Sequence, residues 1–452
     1  MRVTTIIKFI KKLLRKTRSK PASTDTHHII PRNQHKISKN DISTNALKVL
    51  NRLNSSGFQA YLVGGSVRDL MLGKAPKDFD VATNATPTQI RGLFRNARII
   101  GRRFKLVHII FQRDIIEVAT FRSGEEEDDS NQQTNERGML VRDNVYGSLD
   151  QDAWRRDFTV NSLYYNINDA SIIDITGGVT DIHDHVLRMI GDPVVRYQED
   201  PVRMLRAIRF SAKLHFSLAP ETASPLPKLS HLIRHVSGSR LFDEMTKLYQ
   251  CGEAESVQRL LIEHGLFEQL FEQTHLLLNN DAYPIKALMG NALESTDARI
   301  RDGKPVTPAF LYAILLWFPM MEKAQQLQKD EELAPLAALE KAMTHVITLQ
   351  NKVIGIPKRF SQVIREIWVL QFRFNKRQGG RALHLLEHPR FRAAYDFLAL
   401  RALAGDESME LAQWWTDFQE KDAYEQNVMI EALAPLPVKK PRRRRKPKIL
   451  AS

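Results

Sequence analysis

Apolar positions along the chain follow two periods. Up to about residue 190, short apolar runs alternate with short amphipathic stretches; beyond Glu199 the spacing is helical almost throughout, with no convincing strand. In the first part, residues 42–54 place Leu47, Leu50 and Leu53 at helical spacing. Residues 61–63 read as a buried strand ending in the turn Gly64-Gly65. Ser66 then opens a short helical pattern with Val67, Leu70 and Met71 on one side. Thr86-Pro87 starts another helix. Residues 97–100, 106–111, 115–121 and 171–175 read as strands. In the second part, helices are expected at 201–214, 239–251, 254–264, 308–317, 335–349, 361–372 and 391–404. The pattern describes an α+β chain, in which a small head with a mixed or antiparallel sheet precedes a mostly α-helical remainder. The expected divisions are a largely unstructured leader (1–40), the head (41–190), a helical neck (191–255), a helical body (256–432) and a disordered tail (433–452). Pro-containing breaks near 305 and 357 divide the helical part further.

Charge changes this picture at the two ends. The net charge is +14, yet residues 1–20 and 432–452 each hold eight Lys or Arg and no acid. Without those sixteen cations the chain has 50 basic against 52 acidic residues. Basic arms on a near-neutral body imply a sequence-independent grip on a polyanion, either nucleic acid or an anionic membrane surface. In the leader, Ile6, Ile7, Ile10, Leu13 and Leu14 fall at helical spacing between lysines, as in an interfacial amphipathic helix. A disordered basic leader is the other reading. No apolar run is long enough to span a bilayer. The single cysteine, Cys251, excludes an internal disulfide and a cysteine-rich zinc site, and fits a reducing cytoplasm. Residues 124–138 are polar and read as a mobile loop.

Candidate chemistry concentrates in residues 62–80, LVGGSVRDLMLGKAPKDFD. A strand, a glycine turn and a helix start leave free backbone N–H groups for a phosphate. Asp78 and Asp80 flank Phe79; on a strand both carboxylates point one way while Phe79 and Val81 point inward. Carboxylates this close resist joint ionisation unless a cation joins them, and hard oxygen donors suit Mg²⁺ or Mn²⁺. Glu117, on the face of Ile115, Ala119 and Phe121, is either a third acid for Asp78 and Asp80 or the partner of a neighbouring arginine. Arg155 and Arg156 beside Asp157 would depress that acid's pKa. Asp200 before Pro201 reads as a helix N-cap, followed by Arg203, Arg206 and Arg209 on one side and Met204, Leu205 and Ile208 facing inward. There is no P-loop motif, and the His183-Asp184-His185 run reads as a surface turn.

GGSVRDLMLG, KDFDVATNATP, RRDFTVNSLYYN (155–166) and EDPVRMLRAIRFSAKL (199–214) together resemble the class II nucleotidyltransferases. That group holds bacterial poly(A) polymerases and CCA-adding tRNA enzymes. The resemblance covers roughly the first half of the chain; the helical half is similar to the poly(A) polymerase branch, as is IIGRRFKLVHIIF (99–111). It implies template-independent transfer of AMP from ATP to RNA 3′ ends, in mRNA polyadenylation linked to RNA decay. Asp78 and Asp80 would hold the metals, and Gly64, Gly65 and Ser66 the triphosphate through backbone donors. Arg68 and Arg102 would add charge compensation. Asp157 would be a third functional carboxylate, an alternative to Glu117 or else only a salt-bridge partner. Asp200 and Arg203, with Arg206 beyond them, would read adenine. The implied partners are RNA, RNA-decay proteins and the membrane surface, with the chain acting as a monomer. The alternative is a CCA-adding enzyme sharing the same head.

Overall fold

The computed structural model describes residues 28–101, 105–123, 132–134, 140–143 and 146–433. The expected leader helix, most of the 124–138 loop, Arg102 and the basic tail lie outside the described residues. Among the described residues the chain divides into two compact units, residues up to 200 with 216–225, and residues 201–215 with those from 226 on.

The first unit is built on a sheet. Its strands are β1 (His28–Ile30), β2 (Ala60–Val63), β3 (Asp80–Thr83), β4 (Ala97–Ile100), β5 (Leu106–Phe111), β6 (Asp114–Thr120), then β9 (Leu163–Asn166) and β10 (Ser171–Asp174). Between them, β7 (Gln132–Thr134) and β8 (Leu140–Asp143) form a separate antiparallel pair. The main sheet has the order β1-β10-β9-β2-β3-β6-β5-β4. Only β3 and β6 pair in parallel; the other neighbours are antiparallel. Leu62, Val81, Val107, Ile116, Val118 and Leu163 are fully buried in it. The helix Thr44–Ser55 packs its buried Ala46, Val49, Leu50 and Leu53 inward, and the Ser43 hydroxyl accepts from the Ala46 N–H at 3.0 Å.

Several expectations need correction. Part of the stretch read as an unstructured leader is ordered: His28 pairs with Asp174 and Ile30 with Ile172, and Ile30 and Ile37 are buried, as is Ile42 at the start of the head. These isoleucines are too widely spaced to show a period; Ile30 gains its order as part of the edge strand β1, which pairs with β10 about 140 residues later. The strand β9 was not anticipated, nor was β7 inside the expected 124–138 loop. Past Glu199 there is one further strand, β12 (Ser217–Leu218), parallel to β11 (Val186–Leu187). Thr222 secures that return, accepting from the Met189 N–H at 3.0 Å while its carbonyl accepts from the Tyr197 hydroxyl at 2.9 Å.

The second unit is helical. Three tryptophans lie fully buried in it, and each indole N–H is satisfied: Trp317 by Asp406 (3.0 Å), Trp368 by the Ala313 carbonyl (2.8 Å) and Trp415 by the Phe374 carbonyl (3.1 Å). Buried Asp297, on the helix Ile285–Arg301, accepts from the Ala254 and Glu255 N–H groups and so caps the helix Ala254–Glu263. No helix among the described residues is long and apolar enough to cross a membrane.

Candidate active site

Strand register assembles the carboxylates. The parallel pairing of β3 and β6 sets Asp80 beside Glu117, and the antiparallel pairing of β5 and β6 sets Glu117 beside His108. On the other side, Val63 of β2 pairs with Asp80, and Tyr164 of β9 pairs with Val63. Directly opposed residues share a face, so Tyr164, Val63, Asp80, Glu117 and His108 form a row across the sheet. Glu117 Oε2 lies 3.4 Å from His108 Nε2. Asp78 is exposed and precedes the strand, which begins only at Asp80; the expectation that both acids alternate on one strand is therefore corrected. Its charge still reaches Asp80.

Burial, followed by the charge of Glu117 and more weakly that of Asp78, pushes the Asp80 carboxyl from 3.8 up to about 6, with Arg156 opposing. Among the described residues Asp80 accepts no hydrogen bond that would offset this. The donor set suits a hard divalent cation, whose charge would relieve the repulsion that otherwise favours protonation of Asp80. Among the described residues no three His, Cys, Asp or Glu side chains close into a ready metal site.

Arg156 borders the acids. It forms a bidentate contact with Asp152 Oδ2 (3.1 and 2.9 Å), and its Nε also donates to the Tyr164 hydroxyl at 2.9 Å; that hydroxyl donates to Asp152 at 2.8 Å. Burial alone would raise the Asp152 carboxyl, yet Arg156, Tyr164 and Arg155 hold it below the ordinary range. The expected partner of Arg156 was Asp157. The structure uses Asp152 instead, one helical turn earlier, where i, i+4 spacing brings the side chains together. Asp152 and Tyr164 are the site residues that sequence reasoning missed, although the four-residue spacing carried a signal.

Asp157 sits in the turn after the helix Leu149–Arg155, which carries Asp152. Its Oδ1 accepts from the Phe158 N–H (2.9 Å) and from Asn161 Nδ2 (3.3 Å). Glu117, for its part, is among the groups whose charge raises Asp80.

The glycine turn lies against Arg156 and Arg68. Gly64 has φ +73°, and a Cβ there would stand 3.6 Å from Arg156 Nη1. The Gly64 N–H already donates to the Leu163 carbonyl at 3.3 Å, so it is not the free donor expected from sequence. The N–H groups of Gly65 and Ser66 open the helix Gly65–Met71, where no intrahelical acceptor exists. The Ser66 hydroxyl donates to the Val63 carbonyl at 3.0 Å. Arg68 is buried, paired with Asp69 at 2.7 Å and donating to Asn161, so it braces the turn from beneath. Arg102 lies outside the described residues.

Asp200 closes the first unit in extended conformation (φ −147°, ψ 93°) after the helix Pro193–Glu199. In the second unit, Arg203, Arg206 and Arg209 lie half-buried along the helix Val202–Leu214, opposite the buried Met204, Leu205 and Ile208. The guanidinium groups of Arg206 and Arg209 lie 5.4 and 4.7 Å from the Phe210 ring centre.

Three family descriptions match consecutive parts of the chain: the poly A polymerase head domain over residues 60–188, the probable RNA- and SrmB-binding site of polymerase A over 215–278, and the polymerase A arginine-rich C-terminus over 331–448. The poly(A) polymerase I of Salmonella typhimurium is 50% identical over 423 residues, which is 92% of this chain and 90% of that protein. The CCA-adding enzyme of Bacillus pumilus is 37% identical over 253 residues, 56% of this chain and 61% of that protein. Among solved structures, the Bacillus stearothermophilus CCA-adding enzyme in complex with CTP is similar in fold, with a TM-score of 0.55 at 23% identity, over 87% of this chain and 88% of that one. With half its residues identical across nearly the full length of both proteins, the chain belongs to the bacterial poly(A) polymerase I family of nucleotidyltransferases.

Proposed function

We propose that this chain is a template-independent polynucleotide adenylyltransferase that extends RNA 3′ ends with AMP from ATP. The reading rests on one observation above all: Asp80 and Glu117 stand side by side, with Asp78 close by, next to a glycine turn, in a chain of this family. The 3′-hydroxyl oxygen attacks the α-phosphorus of ATP, the bond to the bridging oxygen breaks, and pyrophosphate leaves. Asp78, Asp80 and Glu117 would hold a divalent cation, Mg²⁺ or Mn²⁺. When bound, it would supply charge stabilisation at the transferring phosphate and favour ionisation of the attacking hydroxyl. The N–H groups of Gly65 and Ser66 donate to phosphate oxygens. Arg156, fixed by Asp152 and Tyr164, places a positive charge beside the turn without needing to reorganise during the reaction. Arg203 reads the base, a role taken from the family resemblance and supported by its half-buried place on the helix Val202–Leu214. RNA is held in part by residues 215–278.

Incubating the protein with a generic RNA primer and each nucleotide in turn tests this. A long ladder with ATP alone supports the reading. One to three added residues, confined to tRNA and requiring CTP, would replace it with CCA addition.

A further inference from the structure

We infer that the helical unit carries a separate seat for a nucleotide of single-stranded RNA, in the cleft where Ile285–Arg301, Lys358–Phe374 and Phe391–Leu403 meet. The choice of RNA as ligand rests on the adenylyltransferase reading; the seat itself is read from its own geometry. The cleft encloses about 500 Å³, within the range of small-ligand sites. It lies outside residues 215–278, which match the RNA-binding description.

Its apolar wall presents the half-buried rings of Phe310 and Phe360. Both are fixed from behind, Phe310 by the edge of Phe397 (ring centres 6.4 Å apart) and Phe360 by Phe242 (5.3 Å). The rim carries the guanidinium groups of Arg299, Arg359, Arg390 and Arg392. Two carboxylates answer these four cations: Asp396 pairs with Arg392 at 3.0 Å and Glu366 with Arg390 at 3.1 Å. Among the described residues Arg359 has no acidic partner, and its guanidinium lies 4.8 Å from the Phe360 ring centre. Fixed aromatic faces beside surplus arginines are the two components of single-strand recognition, a platform for a base and charge for its phosphates. An acidic protein segment would use the arginines but leave the rings idle. The cationic lining also continues: His388, next to Pro389 of the cleft, helps line a recess of about 310 Å³ with Arg373, Lys376 and Arg381, and no carboxylate lines it.

Full-length protein and the variants Arg359→Ala, Arg299→Ala/Arg359→Ala and Phe310→Leu test the seat. The probe is a short labelled oligoadenylate, titrated across a salt series. Each lost phosphate contact should lower the log–log salt slope by about 0.7 and weaken binding about fivefold at 0.1 M salt, or about twentyfold for the double variant. Phe310→Leu, which stays apolar but removes the ring face, should weaken binding with no change in slope. The rate at saturating RNA and the KM for ATP should stay at wild-type values. Wild-type Kd and slope in all variants, with normal AMP addition, would overturn the seat and leave the adenylyltransferase reading intact. Weakened binding in a protein that adds no AMP would uphold the seat and overturn that reading. Unchanged RNA binding with lost binding of polyglutamate would assign the cleft to an acidic protein and overturn the inference.

Discussion

Replacing Asp80 by Asn removes a charge that the metal-free fold resists. The carboxyl is raised from 3.8 to about 6 by burial and by the charges of Glu117 and Asp78. A shift of about two units, at about 1.4 kcal/mol each, sets a ceiling of about 3 kcal/mol on the penalty at neutral pH. The side chain is partly open to water, so about 1–3 kcal/mol is expected. The sign follows from linkage. Below about pH 4 the group is protonated in folded and unfolded chains alike, and no penalty exists. Between about pH 4 and 6 the unfolded chain releases the proton while the fold retains it, so the wild-type fold loses stability over that window, and above about 6 the penalty is complete. In EDTA at pH 7.5, Asp80→Asn should therefore melt higher than wild type, by about 2–4 °C per kcal/mol for a domain of this size. The difference should shrink toward zero near pH 4. Calorimetric melts of both proteins in EDTA across that pH range measure it directly. Added Mg²⁺ with ATP should raise the wild-type midpoint and leave the variant nearly unmoved. An Asn variant that melts at or below wild type at pH 7.5, or a difference independent of pH, would refute the reasoning.

Other outcomes follow from the same account. Arg203→Ala should lose discrimination between ATP and the other nucleotides in single-nucleotide assays, because a hydrogen-bonded base edge is the main source of such selectivity; full ATP preference at full rate would leave Arg203 only a helix residue. Gly64→Ala should destabilise the protein by about 1–2 kcal/mol in denaturant melts through its positive φ, and an unchanged midpoint would contradict the strain argument. Truncation after Leu433 removes eight Lys or Arg; it should weaken RNA binding and flatten its salt dependence while sparing the rate at saturating RNA. Equal affinities and slopes would show that the tail grips another polyanion.

Much of the head was legible because its signals are local. The strand, glycine turn and helix around Gly64 follow from a short apolar run and two glycines, and strands 97–100 and 106–111 appear where the sequence places them. Pairing was not legible. Nothing in the sequence says that β3 and β6 run parallel in the register that sets Asp80 beside Glu117. The same holds for β1, whose three residues gain order only from β10. In the helical unit, the pattern located the helices with a clear apolar stripe, such as Gly238–Tyr249 and Lys358–Phe374. It missed Ile285–Arg301, whose buried stripe ends in Thr296 and Asp297. Those polar residues are buried because one bonds within its own helix and the other caps a second helix, a tertiary reason that periodicity does not carry. The ionic partner of Arg156 illustrates the remaining gap. The adjacent acid in sequence was the obvious choice, yet helix geometry selected Asp152.

The account stands or falls on the carboxylates. Adenylation of an RNA primer under single-turnover conditions by wild type, Asp78→Ala and Asp80→Ala, with RNA affinity measured in parallel, tests this most directly. Loss of a metal ligand should remove several kcal/mol of transition-state stabilisation, a drop of about a thousandfold or more in rate, while RNA affinity stays at the wild-type value. Rates within about tenfold of wild type in both variants would contradict the assignment of the reaction to this site.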